Sequence, residues 1–251
     1  MADAHIQVRD LTMAYGDFVI QHDLNFDVNQ RDIFIIMGGS GCGKSTLLRH
    51  LVGLKAPAKG SVAIDGVDVW AVGSDERDAL LRRTGMLFQS GALWSSMTLA
   101  ENIALPLKRY TRLAAAEIRD LAAFKLALVG LAGFEDYYPS EISGGMKKRA
   151  GLARAIALDP EILFLDEPSA GLDPISAKLL DDLILELRDS LGATVVVVTH
   201  ELASIFAIGN NSVFLDAESR TMIARGNPTE LLAHCEDSRV QRFLRRGEVD
   251  A

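Results

Sequence analysis

Residues Ile33 to Thr46, with the sequence IFIIMGGSGCGKST, decide the fold of this chain. The first five are apolar and predict a buried strand, while residues 46–52 follow the apolar spacing of a helix. The glycine-rich segment between them matches the pattern G-x-x-x-x-G-K-[ST]. A strand, a glycine loop and a helix in this order predict an α/β protein built on a parallel sheet.

The glycine-rich segment has the properties of a phosphate-binding loop. Its glycines let consecutive backbone N–H groups turn toward phosphate oxygens, and the N-terminus of the following helix adds partial positive charge. Lys44 is placed to reach the β- and γ-phosphates of a nucleoside triphosphate, and the Ser45 hydroxyl to bind Mg²⁺. An ordinary glycine turn would not account for the flanking strand and helix. The predicted phosphate-binding residues are Gly38, Gly39, Ser40, Gly41, Cys42, Gly43, Lys44, Ser45 and Thr46.

Composition narrows the function classes. The chain has 251 residues, 49% of them hydrophobic, which is enough for one large domain with an elaboration. The formal net charge is -8 and no long Lys/Arg cluster is present, so we expect no nucleic-acid partner. No apolar run approaches the roughly 18 residues of a spanning helix, and the N-terminus lacks the pattern of a secretory signal. These features predict a protein that stays in the cytoplasm.

The two cysteines, Cys42 and Cys235, form neither a disulfide framework nor a metal-site pattern. Cys42 lies within the phosphate loop, which leaves open a redox-sensitive nucleotide site. The simpler interpretation is a small residue tolerated in a tight loop, because no resolving thiol is near in sequence.

The remaining sequence divides into three parts and a tail. Residues 5–36 alternate apolar and polar positions, which predicts antiparallel strands ahead of the phosphate loop. Residues 76–83 predict a helix, and residues 98–158 predict a helical insertion interrupted at Pro106, Gly130 and Pro139. Strands at 162–166 and 194–199 flank a helix at 174–190, and this alternation predicts a parallel sheet. We therefore expect a nucleotide-binding domain over residues 5–236 and a tail over 237–251.

Two of these strands end in polar residues that suit hydrolysis. Ligands of a parallel sheet bind at the carboxyl ends of its strands. Asp166 and Glu167 follow the strand 162–165, so Asp166 is predicted to hold Mg²⁺ and Glu167 to polarise the attacking water. His200 follows the strand 194–199 and would reach a γ-phosphate if that strand neighbours the other two. A histidine after a strand is otherwise a common surface or capping residue.

These residues resemble the nucleotide-binding subunits of ABC transporters over nearly the whole chain. Six motifs occur in the order found in that family. Gly38–Ser45 is similar to the Walker A motif, Gln89 to the Q-loop and Ser143-Gly144-Gly145 to the signature. Asp166-Glu167 is similar to the Walker B motif with the catalytic glutamate, residues 169–173 to the D-loop, and His200 to the switch histidine. Tyr15 is similar to the aromatic residue that stacks on adenine.

The resemblance implies an ATPase that uses Mg²⁺ and has the P-loop NTPase fold. That fold has a RecA-like parallel sheet, an N-terminal antiparallel β subdomain and an inserted helical subdomain, here about 98–158. Carried over residue by residue, the catalytic group is Glu167, His200, Gln89 and Lys44, and the Mg²⁺ ligands are Ser45, Gln89 and Asp166. The nucleotide contacts add Tyr15, Ser143, Gly144 and Gly145 to the phosphate loop.

The signature segment is a second candidate anion site. Ser143, Gly144 and Gly145 precede a helix and could bind phosphate through its N-terminus, or could simply cap that helix. Spacing alone permits contact with the nucleotide of the same chain. The family resemblance implies instead a head-to-tail dimer, in which the signature of one copy closes over the ATP of the other.

Two departures point to a subfamily. The common signature LSGGQ is altered at Ile142 and Met146. The Met146 variant resembles the Mla and MCE-associated lipid transporters, as do residues 88–93 with Met97-Thr98 and residues 237–244. That resemblance implies a membrane permease, an MCE-domain lipid-binding protein and a location at the cytoplasmic face of the inner membrane. A groove near residues 89–97 would contact the permease.

Two alternative functions are an importer ATPase for a polar nutrient and a non-transport ABC ATPase of DNA repair or translation. Proteins of the second kind usually have long heptad insertions or a second phosphate loop, and this sequence has neither.

The tail allows two interpretations. Four arginines with Val240, Phe243 and Leu244 have the spacing of an ordinary amphipathic helix. The sharper hypothesis is that the tail packs on the partner subunit of the dimer.

Overall fold

The structure, a computed structural model, describes residues 4–246. Its strands are β1 (Ala4–Tyr15), β2 (Phe18–Asn29), β3 (Ile33–Gly38), β4 (Lys59–Ile64), β5 (Val67–Asp68), β6 (Thr84–Leu87), β7 (Ile162–Asp166), β8 (Thr194–Val198), β9 (Asn211–Asp216) and β10 (Thr221–Arg225). Its helices are α1 (Lys44–Leu51), α2 (Ser74–Leu81), α3 (Leu99–Tyr110), α4 (Ala115–Leu128), α5 (Gly144–Ala155), α6 (Pro174–Leu191), α7 (Leu202–Ile208), α8 (Pro228–His234) and α9 (Ser238–Leu244), with a 3₁₀ turn at Pro139–Glu141.

The predicted N-terminal antiparallel subdomain is present. Four strands pair in the order β2-β1-β4-β5, all antiparallel. Along β1 and β2 the apolar positions that alternate in the sequence are buried, among them Ile6, Val8, Phe26 and Val28. They pack toward the second sheet, where the ring of Phe26 stacks on that of Phe34 at 5.3 Å between centroids. The period-two pattern therefore places one face of this sheet in the core.

The second sheet sets the positions of the functional residues. Its six strands follow the order β10-β9-β3-β8-β7-β6, and every pair is parallel except β9 with β10. The strand before the phosphate loop, β3, is adjacent to β8, and β8 is adjacent to β7. The carboxyl ends of these three strands therefore lie side by side, so that the phosphate loop, His200 and Glu167 meet at one edge.

Apolar cores cover both faces of the parallel sheet. On one face, α1 and the antiparallel sheet enclose residues such as Phe34, Leu47 and Phe164. On the other, the helical segment, α6, α7 and α9 enclose Ile35, Leu165 and Val197. A strand that is buried on both faces has apolar residues at consecutive positions, which explains the continuous apolar sequences of β3, β7 and β8.

The helical insertion consists of α3, α4, the 3₁₀ turn and α5. The interruption predicted at Pro106 is wrong, because Pro106 lies inside α3 and the helix continues to Tyr110. Proline removes one backbone hydrogen bond there, but Ile103 and Leu107 on either side are buried, so packing sustains the helix. Helix α5 also contacts β6 and α6 of the parallel-sheet domain, and it connects the insertion to that domain.

The tail, predicted over residues 237–251, contains an amphipathic helix, α9. Val240, Phe243 and Leu244 are buried in the core of the same subunit, with Phe243 edge-on to Phe214 at 5.2 Å. The apolar face of the tail is thus used within the chain. Contact with a partner subunit stays a prediction for its basic face and for residues 247–251, which lie outside the described part of the chain.

Candidate active site

A cavity of about 470 Å³ opens at the carboxyl edge of the parallel sheet, where the sequence placed the phosphate site. Its lining residues are Gly38, Ser40, Gly41, Gly43, Lys44, Ser45, Thr46, Gln89, Glu167, His200 and Arg246. All four predicted catalytic residues are in this group. Arg246 is the one member that sequence reasoning did not assign to the site.

The phosphate loop wraps around the start of α1. Lys44 Nζ donates hydrogen bonds to the carbonyl oxygens of Gly38 and Gly39, at 3.0 and 2.9 Å. A lysine folded back on its own loop in this way directs its ammonium group at the center of the cradle, where phosphate oxygens would replace the carbonyls as acceptors. Gly43 caps α1 with a left-handed φ of 99°, a conformation that disfavors residues with a side chain.

Gln21 of the antiparallel sheet holds the loop from outside, and sequence reasoning missed it. Its buried Nε2 donates to Cys42 O at 2.8 Å and to Asp216 O at 2.9 Å. The side chain of Cys42 is buried, and burial raises the pKa of its thiol. A raised thiol pKa lowers the thiolate fraction, so the structure favors the small-residue interpretation of Cys42 over the redox-sensitive one.

Ser45 and Asp166 form a pair suited to a divalent cation. The Ser45 hydroxyl donates to Asp166 Oδ1 at 3.1 Å, which brings together the two oxygen ligands predicted from the sequence. Burial raises the pKa of the Asp166 carboxyl, while the hydrogen bond from Ser45 opposes the shift. A bound Mg²⁺ would favor the ionised carboxylate, because hard cations prefer charged oxygen ligands. Gln89 also lines the cavity, consistent with the position of a third ligand.

Glu167 and His200 are joined directly. His200 Nδ1 lies 2.8 Å from Glu167 Oε1, so the imidazole donates to the carboxylate. The second oxygen, Oε2, is buried and accepts no hydrogen bond from any residue of the range 4–246. Glu167 itself lines the cavity, where a carboxylate can accept a proton from an attacking water.

The backbone of Glu167 is unusual and is fixed from two sides. Its φ is 49°, a left-handed conformation that is uncommon for residues other than glycine. Its N–H donates to Val198 O at 2.8 Å, and its carbonyl accepts from Lys148 Nζ at 2.8 Å. Lys148 is buried, and burial lowers the pKa of its ammonium group. Sequence reasoning placed Lys148 only on the signature helix, and no local pattern indicated this contact with the catalytic strand.

The structure separates the remaining predicted residues from the cavity. Tyr15 is half exposed outside the cavity lining, with Lys55 Nζ 3.6 Å from its ring centroid, so an adenine would have to displace or share that cation.

Ser143 caps α5 by accepting a hydrogen bond from Met146 N–H at 3.3 Å. Ser143, Gly144 and Gly145 do not line the cavity of their own subunit. Contact of the signature with the nucleotide in cis, which the spacing permitted, therefore has no support in this geometry.

A phosphate loop beside a serine–aspartate pair suited to a divalent cation, with a glutamate at the cavity, is the arrangement of a P-loop nucleoside triphosphatase. Within that class the chain belongs to the ABC transporter family: the family model described as "ABC transporter" matches residues 21–170. The chain is thus an ATP-binding and ATP-hydrolysing protein of the ABC type.

Curated relatives match over nearly the full chain. The intermembrane phospholipid transport system ATP-binding protein MlaF of Haemophilus influenzae is 41% identical over 98% of this chain and 91% of its own length. MlaF of Escherichia coli K12 is 39% identical over 95% of this chain and 88% of its length. A probable ribonucleotide transport ATP-binding protein, mkl of Mycobacterium leprae, is 40% identical over 95% of this chain, which spans 68% of the relative.

Solved structures agree with the fold. A dimeric ATP-binding cassette, MJ0796 bound to ADP and Pi, superposes with a TM-score of 0.80 at 29% identity, covering 88% of this chain and 98% of that one. The cbiO1 protein of Clostridium perfringens, part of the ABC transporter complex cbiONQ, gives 0.82 at 27% identity and covers 98% and 97%. These neighbors confirm the P-loop fold predicted from the motifs. Across the described residues no helix is long and apolar enough to cross a membrane.

Proposed function

We propose that this chain is the ATP-hydrolysing subunit of a phospholipid transporter. The observation that carries the proposal is the similarity to MlaF over almost the whole length of both chains. The altered signature residue Met146 favors the same subfamily. In this proposal the chain lies at the cytoplasmic face of the inner membrane, bound to an integral membrane permease that works with an MCE-domain lipid-binding protein.

Hydrolysis would use the residues gathered in the cavity. The phosphate loop and Lys44 hold the triphosphate, while Ser45, Asp166 and Gln89 hold Mg²⁺. Glu167 accepts a proton from water, and His200 orients Glu167 and faces the γ-phosphate. Magnesium would neutralise charge that develops on the phosphate oxygens.

Two copies would act together. The signature residues do not line their own cavity, yet Gly144 and Ser143 are exposed at the start of α5. A helix N-terminus with a serine hydroxyl and open backbone N–H groups can bind an anion. Because MJ0796 forms a dimer in its solved structure, we infer a head-to-tail dimer in which each signature completes the site of the other copy.

The permease would dock in a groove beside the Q-loop. A cavity of about 540 Å³ lies between α2, β6, α3 and α5, next to Gln89, and Phe88, Pro106 and Tyr110 contribute apolar surface to it. Arg154 on its wall donates to the carbonyls of Gly91 and Ala92 and so ties the loop after Gln89 to α5. Motion of α5 during dimer closure would therefore reach the groove directly, which is how ATP binding would drive the permease.

A polar cargo is the second candidate, because the mycobacterial relatives are named for ribonucleotide transport. To separate the two, the tagged chain is purified from its native membrane in mild detergent, with a Lys44→Ala variant as the control for nucleotide-dependent assembly. Co-purification of a permease with an MCE-domain protein and bound phospholipid would support the proposal. A periplasmic solute-binding protein that carries a nucleotide or another polar solute would overturn it.

A further inference from the structure

The C-terminal helix α9 brings a cation to the wall of the ATP cavity. Arg246 follows the last turn of α9 and shares the lining with the phosphate-loop residues Ser40 and Lys44 and with His200. None of the family motifs found in the sequence includes this arginine. Among the cavity residues it adds a second basic side chain that is always charged at physiological pH, beside Lys44.

Helix α9 is held firmly against the subunit that carries the cavity. Phe243 packs edge-on against Phe214 of β9, and Val240 and Leu244 are buried beside it. At the other end, Arg239 bonds to Asp237 at 2.7 Å and to Asp216 at 2.8 Å. These contacts fix the direction in which the chain leaves the helix.

The same anchors are connected to the phosphate loop. Asp216, which pairs with Arg239 through its carboxylate, also accepts a hydrogen bond from Gln21 at its backbone oxygen. Gln21 donates in addition to Cys42 O within the loop. The position of α9 and the shape of the phosphate cradle therefore depend on one small set of contacts at the end of β9.

The surroundings of the Arg246 guanidinium leave it able to bind an anion. Its Cζ lies 5.1 Å from the ring centroid of Phe243, which supports the group without neutralising it. Over residues 4–246 no carboxylate lies within ion-pair distance of it, in contrast to Arg239. Arginine binds phosphate oxygens through paired N–H donors, so phosphate is a suitable ligand for a guanidinium at a triphosphate cavity.

We propose that Arg246 binds a phosphate oxygen of the ATP held by its own subunit, so that α9 completes the nucleotide site in cis. The inference rests on the assignment of this cavity to ATP and is independent of the cargo. It makes the C-terminal helix part of the catalytic machinery in addition to its structural role.

The test measures ATP affinity in the full chain that carries Glu167→Gln, which prevents turnover during titration. Arg246→Met keeps an apolar stem over Phe243 and removes the charge, while Arg246→Lys keeps the charge without the planar fork. Loss of one charge-assisted hydrogen bond should weaken MgATP binding about tenfold in Arg246→Met. Arg246→Lys should recover part of the affinity, and Arg242→Ala, a neighboring basic residue outside the cavity lining, should bind as the parent does.

Three results would overturn the inference. One is an Arg246→Met affinity within twofold of the parent while Lys44→Ala in the same assay binds poorly, which leaves the cavity assignment intact. Another is a loss that disappears on dilution to monomers, judged by sedimentation, because it would place the contact across the dimer. If Lys44→Ala also binds normally, the cavity itself is not the ATP site and the proposed function fails as well.

Discussion

Glu167 combines a left-handed backbone with a side chain that has one bonded and one free carboxylate oxygen. Non-glycine residues in that conformation are strained by about 1–2 kcal/mol, and the bonds from Lys148 and to Val198 hold the strain in place. The position of the carboxylate is therefore set by contacts from two other elements. The position of Glu167 at the end of a strand was predictable from the sequence, because it depends only on adjacent residues.

Substitution Glu167→Gln should abolish most turnover without loss of ATP binding. Glutamine has nearly the same volume and can keep a hydrogen bond to His200, but it cannot accept a proton from water. We expect kcat to fall by about 10²- to 10⁴-fold and the MgATP dissociation constant to stay within a few-fold of the parent. Steady-state phosphate release and equilibrium binding are the two measurements. Near-normal hydrolysis would remove Glu167 from the role of base.

Lys148→Met should slow hydrolysis through Glu167 although Lys148 does not touch the cavity. The variant loses the hydrogen bond to the Glu167 carbonyl and relaxes the position of the carboxylate, so kcat should drop about tenfold with little change in KM. A merely structural role would instead lower the melting temperature and leave kcat of the folded fraction unchanged. Lys147→Met is the matched control, because no side-chain bond joins Lys147 to the catalytic strand in the described range.

At the scale of elements, the sequence predicted strands and motif positions well and predicted side-chain anchors poorly. The phosphate loop, the strand ends and the signature helix each depend on residues within about ten positions of one another, which a linear pattern records. Gln21 contacts residues 21 and 195 positions away, and no local pattern records that. The predicted interruption at Pro106 was wrong for a related reason. Helix α3 continues through Pro106 because its neighboring residues are buried, which only the tertiary structure shows.

Asn102 is another anchor of this kind, at the start of α3. Its fully buried amide accepts from Trp94 N–H at 2.7 Å and donates to the carbonyls of Trp94, Met97 and Thr98. It fixes the loop between Gln89 and α3, which is the loop proposed to face the permease. A capping box between Thr98 and Glu101 starts the helix beside it.

Asn102→Leu should loosen this loop with the parallel sheet still folded. Loss of these hydrogen bonds should cost about 2 kcal/mol of unfolding free energy, and limited proteolysis should cleave within residues 90–98 faster than in the parent. Glu101→Ala removes only the capping box and should cost less, about 1 kcal/mol. Equal protease resistance of parent and Asn102→Leu would show that the loop is held by other contacts.

At the scale of the whole molecule, the proposed function depends on surfaces that one subunit does not satisfy. The signature does not line its own cavity, and the basic face of α9 is exposed, whereas the apolar face of α9 is buried in the core. A deletion of residues 237–251 would therefore destabilise the subunit as well as remove any partner contact. Deletion of residues 247–251 alone is the cleaner test of whether the tail contributes to the dimer.

Gly145→Trp should block hydrolysis and leave ATP binding to each monomer unchanged. A Cβ at Gly145 would meet Ser176 and Leu172 at 3.6 and 3.7 Å, ordinary contacts, so Gly145→Ala should fold and serve as the control. The bulky side chain would instead obstruct the nucleotide of the partner copy and prevent closure. Measurements of turnover, ATP affinity and ATP-dependent dimerisation in the two variants decide the matter; undiminished turnover in Gly145→Trp would argue against the shared site.

The loop anchored by Asn102 also gives the protein a built-in optical reporter. The chain has only two tryptophans: Trp94 is 60% exposed on that loop, and Trp70 is partly buried with Arg77 over its ring. A Trp70→Phe variant would leave a single indole whose emission shifts to shorter wavelength when a membrane partner covers it. Assembly and release of the transporter could then be followed in real time without an attached dye.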